Sequence, residues 1–442
     1  MTGLAAYRDA LRDAPLHRRI GWVRRVRGLA IEAEGPAGAR VGDLCRITRP
    51  EVEGGTLLAE VVGLQEGSTT LMAYGGAQGI GRASEVVALG RRGAIGVGAA
   101  LLGRVIDGFG APLDGRPAPM LGEQRALDTP PANPLVRPRI QEVLETGVRC
   151  IDGLLTVGRG QRVGIFAGSG VGKSSLLGLV ARHVQADVNV IALIGERSRE
   201  VRDFIDRQLG PATLARSVVV VATSDQPALA RVRAAHAAVA VAGWFRDQGR
   251  HVMLTMDSVT RLAMARREVG LAAGEPATAR GYTPSVFAEL PQLCERCGTG
   301  VGGGSVTAFL TVLVEGDDLS DPVADHLRAI LDGHVVLSRE LAQEGHHPAI
   351  DVLRSASRLM PELATEAQRQ LAAAAVRRLA LLERNRQLVD IGAYQKGSNA
   401  ALDEALAGEV ALRTWLRQDK AGVPRAQALR SLAQALGVPV VA

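Results

Sequence analysis

Three lysines stand among the 52 lysine and arginine residues of this 442-residue chain, and Lys173 alone falls within the first 395 positions. It sits in the run AGSGVGKSS, Ala167 to Ser175. A composition that uses arginine almost everywhere yet keeps lysine here points to a tight phosphate loop. A compact ammonium on a thin stem fits where the wide guanidinium fork would crowd. The glycines let the backbone of Gly168, Ser169, Gly170, Val171 and Gly172 approach phosphates closely, and the N–H groups of the loop and of the helix that follows, Ser175 included, face them. Lys173 then reaches the β and γ oxygens, and the Ser174 hydroxyl is placed for Mg²⁺. Ala167 stands where glycine is commoner, a small change because the position needs only a small residue. The run predicts a nucleoside triphosphate site, with ATP and Mg²⁺ as its ligands.

Hydrolysis needs two further groups. The run HVMLTMD ends in Asp257, an acid at the C-terminal end of a strand, where a carboxylate holds magnesium, usually through a water. A capping role is the blander alternative, but Ser258 and Thr260 are at hand for capping. The run VNVIALIGERSRE puts Glu196 at the end of the strand after the phosphate-loop helix, on the same rim of the sheet, as the general base. Arg197 beside it adds a charge on the phosphate side.

These residues require a parallel α/β scaffold. The runs RVGIFAG, VNVIALIG, SVVVVATSD, HVMLTMD and AFLTVLVEGDD are apolar and β-branched, as strands buried on both faces should be. Helical spacing separates them: Leu176, Leu177, Leu179 and Val180 after the loop, then Val201, Phe204, Ile205 and Leu209. Upstream, short alternating runs with glycine-rich turns predict a small β-barrel over 26–92. The α/β domain spans 93–361, with an extended PPANPLVRPR segment inside it, and a strand-free, alanine- and leucine-rich stretch predicts a helical domain over 362–442. Leu4, Tyr7 and Leu11 predict a short amphipathic helix within 1–25, either a surface helix packed on its own domain or a docking segment for a partner or a membrane surface.

Composition narrows the field. No run of about 18 uncharged apolar residues occurs, and the first residues lack a secretory pattern, so a cytoplasmic location is expected. Four cysteines are too few for a disulfide framework, and Cys294 and Cys297 form a lone CxxC read as two ordinary reduced thiols. A net charge of +6 admits nucleic acid as a partner, but only 3% of the residues are aromatic, poor material for base stacking, and no nucleic acid is expected.

The segments GERSREVRDFI, FRDQGRHVMLTMDSVTRLAMARREVGLAAGEP, RGYTPSVFAELPQL, HHPAIDVLRSASRLMPEL and GAYQKGS resemble the ATPase of flagellar and type III protein export, itself similar to the catalytic subunit of rotary ATP synthases. The resemblance covers nearly the whole chain. It implies a RecA-like P-loop core with an N-terminal small β-barrel and a C-terminal helical domain, assembled as a homo-hexamer with nucleotide between neighbours. It also implies export-apparatus partners: a stator-like regulator, a central stalk protein, a membrane export gate, and export substrates with their chaperones. Placement would be peripheral, at the cytoplasmic face of the inner membrane. In the motif SASR, Ser355 to Arg358, the resemblance makes Arg358 an arginine finger for the next subunit's γ-phosphate. His347 stands where the family commonly has an adenine-stacking tyrosine, and imidazole offers less area. Ser198 replaces the usual glycine of GERGRE.

A flagellar export motor is the leading reading and an injectisome ATPase the runner-up. Glu196 argues against a non-catalytic synthase subunit, and the GEPATARGYTPSVF block against the catalytic one. A Rho-like translocase lacks its RNA-binding signature. A module that binds nucleotide without hydrolysing it fits poorly with Lys173, Glu196, Asp257 and Arg358 together.

Overall fold

The structure, a computed structural model, describes residues 18–50, 55–314 and 318–439. Six antiparallel strands, β1 (Ile20–Arg27), β2 (Ala30–Glu34), β3 (Asp43–Thr48), β4 (Thr56–Gln65), β5 (Ser68–Ala73) and β6 (Glu85–Arg92), close into a barrel in the order β1-β2-β5-β4-β3-β6. Alternation builds it: Ile31 and Ala33 of β2 and Leu57, Ala59 and Val61 of β4 point inward, meeting Val23, Ile47, Leu71 and Val86 in one small core. The barrel opens at Ile20, which corrects the expected boundary at 26. The run IGWVRRVR buries only Gly21 and Val23, so its arginines hide the period-two pattern. The helix expected around Leu4, Tyr7 and Leu11 lies outside the described residues.

Beyond the barrel, β7 (Ala94–Val97) pairs with β9 (Glu123–Ala126), β8 (Arg104–Ile106) joins the edge of the main sheet, and β10 (Val143–Leu144) pairs with β11 (Val157–Gly158). The main sheet continues with β12 (Arg162–Ala167), β13 (Val188–Ile194), β14 (Ser217–Ala222), β15 (His251–Asp257), β16 (Gly298–Thr299), β17 (Ser305–Leu313), β18 (Gly333–Leu337) and β19 (Ile350–Ser357). Its order is β19-β18-β12-β17-β15-β13-β14-β8, with β16 added onto β17. From β18 to β8 the pairings are parallel, and β19 runs back antiparallel along β18.

Every residue of β13 and β14 is buried, because helices cover both faces. Val190, Ala192 and Ile194 of β13 pack toward helix Ala228–Asp247, whereas Ile191 and Leu193 pack toward the phosphate-loop helix Lys173–His183. Burying each such aliphatic side chain stabilises the fold by roughly 1.5–3 kcal/mol. The helical run predicted around Val201 to Leu209 begins as helix Ser198–Asp203 and widens into a π-helical stretch, Phe204–Leu209, before Gly210–Ala215.

Helices Glu366–Asp390, Ala400–Leu416 and Arg425–Leu436 form the C-terminal bundle. Trp415 wedges it against the core: a Cβ added at Gly153 would lie 2.9 Å from the indole, whose N–H donates to Ala428 O at 3.1 Å and to Ser431 Oγ at 3.0 Å. Buried Gln368 ties the bundle to the core by donating to Asp152 O, Gly153 O and Thr156 Oγ1.

Candidate active site

Strand β12 delivers the chain to the C-terminal rim of the sheet at Ala167, and the helix resumes at Lys173. The turn between them requires glycine where φ is positive, 79° at Gly170 and 94° at Gly172. Val171 is buried beneath the loop, while Ser174 and Ser175 face outward into the cleft.

Strand order brings the acids to this loop. Asp257 closes β15, in register with Leu193 on neighbouring β13, and Glu196 follows β13 by two residues. Between β12 and β15 lies β17, over which Lys173 reaches. Its Nζ donates to Asp257 Oδ1 at 2.5 Å and to Glu196 Oε1 at 3.4 Å. Thr311 Oγ1 on β17 donates to the same Asp257 oxygen at 2.8 Å. Burial alone would lower the Lys173 ammonium, but Asp257 and Glu196 outweigh it and hold lysine above its ordinary value. Ser258 caps the next helix by accepting from Arg261 N, so capping does not fall to Asp257, whose buried carboxylate accepts from Lys173 and Thr311 instead.

Glu196 is the other perturbed group. Burial first, then a hydrogen bond with Glu200 and the charge of Asp257, push its carboxyl up to about 7. Glu200, one helical turn on, is held low chiefly by that same hydrogen bond. The pair thus holds a proton poised near neutrality at Glu196. Arg197 stands at the edge of the cleft, 82% exposed and 3.8 Å from Glu200.

The cleft measures about 850 Å³ and is lined by the glycine loop, Lys173, Ser174, Ser175, Glu196, Arg197, Glu200 and Arg261. Sequence reasoning missed Glu200 and Arg261. The signal was helical spacing from known acids: Glu200 lies four residues after Glu196, and Arg261 four after Asp257. Arg261 lies over Gly195, where an added Cβ would come within 2.8 Å of its Cβ, and its Nε is buried with no hydrogen-bond partner.

Neither His347 nor Arg358 lines the cleft. His347 is exposed beside the loop, its Nδ1 3.7 Å from where a Cβ on Gly172 would stand. Arg358 follows β19 at the opposite rim, because β19 runs antiparallel, and its guanidinium donates to Arg328 O and Ala329 O at the end of helix Pro322–Ile330. It does not touch the cleft of its own chain. The thiols take no part: Cys294 and Cys297 are buried and free, and burial pushes both up, Cys297 to about 11.

A glycine loop at the end of a parallel strand, its lysine between two acids from neighbouring strand ends, defines a P-loop nucleotide hydrolase with a RecA-like core. Family comparisons narrow that class. The ATP synthase alpha/beta family matches residues 23–90 with its beta-barrel domain and 147–357 with its nucleotide-binding domain. The T3SS EscN ATPase C-terminal domain matches 364–434. The flagellum-specific ATP synthase of Bacillus subtilis is 51% identical over 93% of each chain, and that of Salmonella typhimurium 50% identical over 95% of this chain and 93% of its own. The type 3 secretion system ATPase of Xanthomonas euvesicatoria is 49% identical over 91% of this chain and 90% of its own. The assembled ATPase EscN of the enteropathogenic E. coli type III secretion system superposes with a TM-score of 0.89 at 43% identity, covering 94% of this chain and all of that one. This chain belongs to the flagellar and type III protein-export ATPases of the ATP synthase alpha/beta family, and it is an ATP-hydrolysing enzyme.

Proposed function

We propose that the chain is the motor of a flagellar type III export apparatus, coupling Mg-ATP hydrolysis to the release, unfolding and export of protein substrates. The observation that carries the mechanism is Lys173 bridging Asp257 at 2.5 Å and Glu196 at 3.4 Å on one rim, with Arg358 on the other. In this reading the loop amides and Lys173 hold the phosphates, and His347 offers a face to the base. Glu196, as carboxylate, orients the attacking water and accepts its proton. Arg197 and Arg261 add positive charge on the phosphate side.

The residues fit magnesium. Ser174 and Asp257 are hard oxygen donors, and the Lys173 ammonium against Asp257 Oδ1 marks where a cation is favoured. When bound, the ion supplies charge neutralisation at the β and γ phosphates.

Arg358 cannot serve its own phosphate loop, so we assign it to the neighbour in a homo-hexamer, with nucleotide between subunits. EscN has been solved assembled, and also with its central stalk EscO, at a TM-score of 0.86 to this chain. A central stalk is therefore a partner we infer here, together with a stator-like regulator, the export gate, and export substrates with their chaperones. The chain would work at the cytoplasmic face of the inner membrane, and among the described residues no helix is long and apolar enough to cross it.

Specific activity in Mg-ATP should rise with protein concentration as subunits meet; flat activity would remove the ring from the mechanism. An injectisome ATPase is the second reading, favoured by the 49% identity of the Xanthomonas protein. Deletion of the gene separates the two: loss of flagellar subunit export supports the first reading, and loss of effector secretion with intact motility supports the second.

A further inference from the structure

A second cavity, about 690 Å³, lies between the barrel and the α/β core, away from the phosphate loop. Its size falls within the usual range for small-molecule sites. The barrel side contributes Glu60 and Tyr74, and the core contributes Arg233 from helix Ala228–Asp247, Glu289 from the middle of helix Pro284–Glu295 and Arg296 just beyond its end. Four arginines face three carboxyls on this wall.

The pairing on that wall is incomplete. Glu289 is taken twice, by Arg266 Nε at 2.9 Å and by His236 Nε2 at 3.0 Å. Arg296 donates to His236 Nδ1 at 3.0 Å, which leaves the imidazole proton on Nε2, toward Glu289. Arg233 is 6% exposed; it donates to Gly108 O at 3.0 Å and to Ala94 O at 2.7 Å, and stacks 4.2 Å above the Phe109 ring. Its Nη1 has no hydrogen-bond partner. Among the described residues no carboxylate accepts a hydrogen bond from Arg233 or Arg296. The carboxyl on the barrel side, Glu60, accepts from the Tyr74 hydroxyl instead, and burial pushes it up in spite of Tyr74 and Arg233.

Enclosed guanidinium groups with charge nearby but no carboxylate hydrogen-bonded to them are incompletely satisfied, and the usual remedy is an anion held by charge-assisted hydrogen bonds. We propose that this cavity is a second ligand site, for a small organic anion whose carboxylate or phosphate group pairs with Arg233 and Arg296 while its body rests on Leu229, Val232 and Leu293. An occupant would touch barrel and core at once.

The test uses the full chain with a saturating non-hydrolysable Mg-ATP analogue, which keeps the phosphate loop filled through the γ position, and titrates succinate, a weak magnesium chelator, and inorganic phosphate separately by calorimetry. The two probes distinguish a carboxylate from a phosphate ligand. The expected result is one saturable site per chain for at least one probe, weakened tenfold or more by Arg296→Gln and also by Ala288→Trp. Ala288 is exposed at the wall of the cavity, so the tryptophan fills the space without entering the core. Saturable binding of neither probe, or binding that survives in either variant, overturns the proposal.

Discussion

Mixing two inactive variants tests the trans arginine directly. Arg358 N donates to Asp332 O and Asp332 N to Arg162 O, so Arg358 lies level with the start of β12, whereas the phosphate loop leaves its end at Ala167. The strand between them spans roughly 17 Å, too far for one arginine to bridge to its own phosphates. Arg358→Ala should therefore lower kcat about 10³- to 10⁵-fold, a barrier increase of about 4–7 kcal/mol, through loss at the neighbour's site. Lys173→Ala should be inactive for a different reason, its own site losing the ammonium that reaches the β and γ phosphates. In a ring drawn at random from equal amounts of the two, about a quarter of the head-to-tail interfaces pair an intact loop with an intact arginine. Steady-state phosphate release from the co-refolded mixture should thus recover to about a quarter of the native rate per subunit if interfaces act independently. A mixture no faster than the separate variants, or Arg358→Ala alone turning over near the native rate, refutes the reasoning.

Other outcomes follow from the same geometry. Glu196→Gln should keep ATP affinity while kcat falls about 10²- to 10⁴-fold, measured by nucleotide titration beside a turnover assay. Because burial and Glu200 raise Glu196 to about 7, its carboxylate, the form a base requires, is lost as pH falls through that value. The native kcat/KM should accordingly drop tenfold per pH unit on the acid side, and a profile flat down to pH 5 would remove Glu196 as base. His347→Tyr enlarges the stacking face beside Gly172 and should tighten ATP binding a few-fold, about 0.5–1.5 kcal/mol; an unchanged Kd would place the base elsewhere. Trp415→Ala empties the wedge against Gly153 and should cost about 3–5 kcal/mol in urea unfolding, with the C-terminal bundle the first part to lose protection in hydrogen exchange.

The phosphate loop was legible in the sequence because its physics is local. Glycines that permit positive φ, a buried strand before them and an amphipathic helix after them lie within about twenty residues, and Lys173 declared itself by composition. Five of the seven parallel strands were legible for a similar reason, since continuous apolar runs signal burial on both faces. Strand β1 was not: with Gly21 and Val23 alone facing inward, its membership in the barrel depends on closure with β6 rather than on its own pattern. Nor could spacing give the active-site geometry. Asp257 and Lys173 are 84 residues apart and meet at 2.5 Å only because the order β12-β17-β15-β13 sets their strand ends side by side. The raised Glu196 carboxyl follows from burial and from Glu200 across a turn, and the far-rim position of Arg358 from the reversed direction of β19. Local sequence determined which groups were available and which segments would present them. Long-range strand order and desolvation, which no run of residues encodes alone, decided which groups met and how strongly each was perturbed.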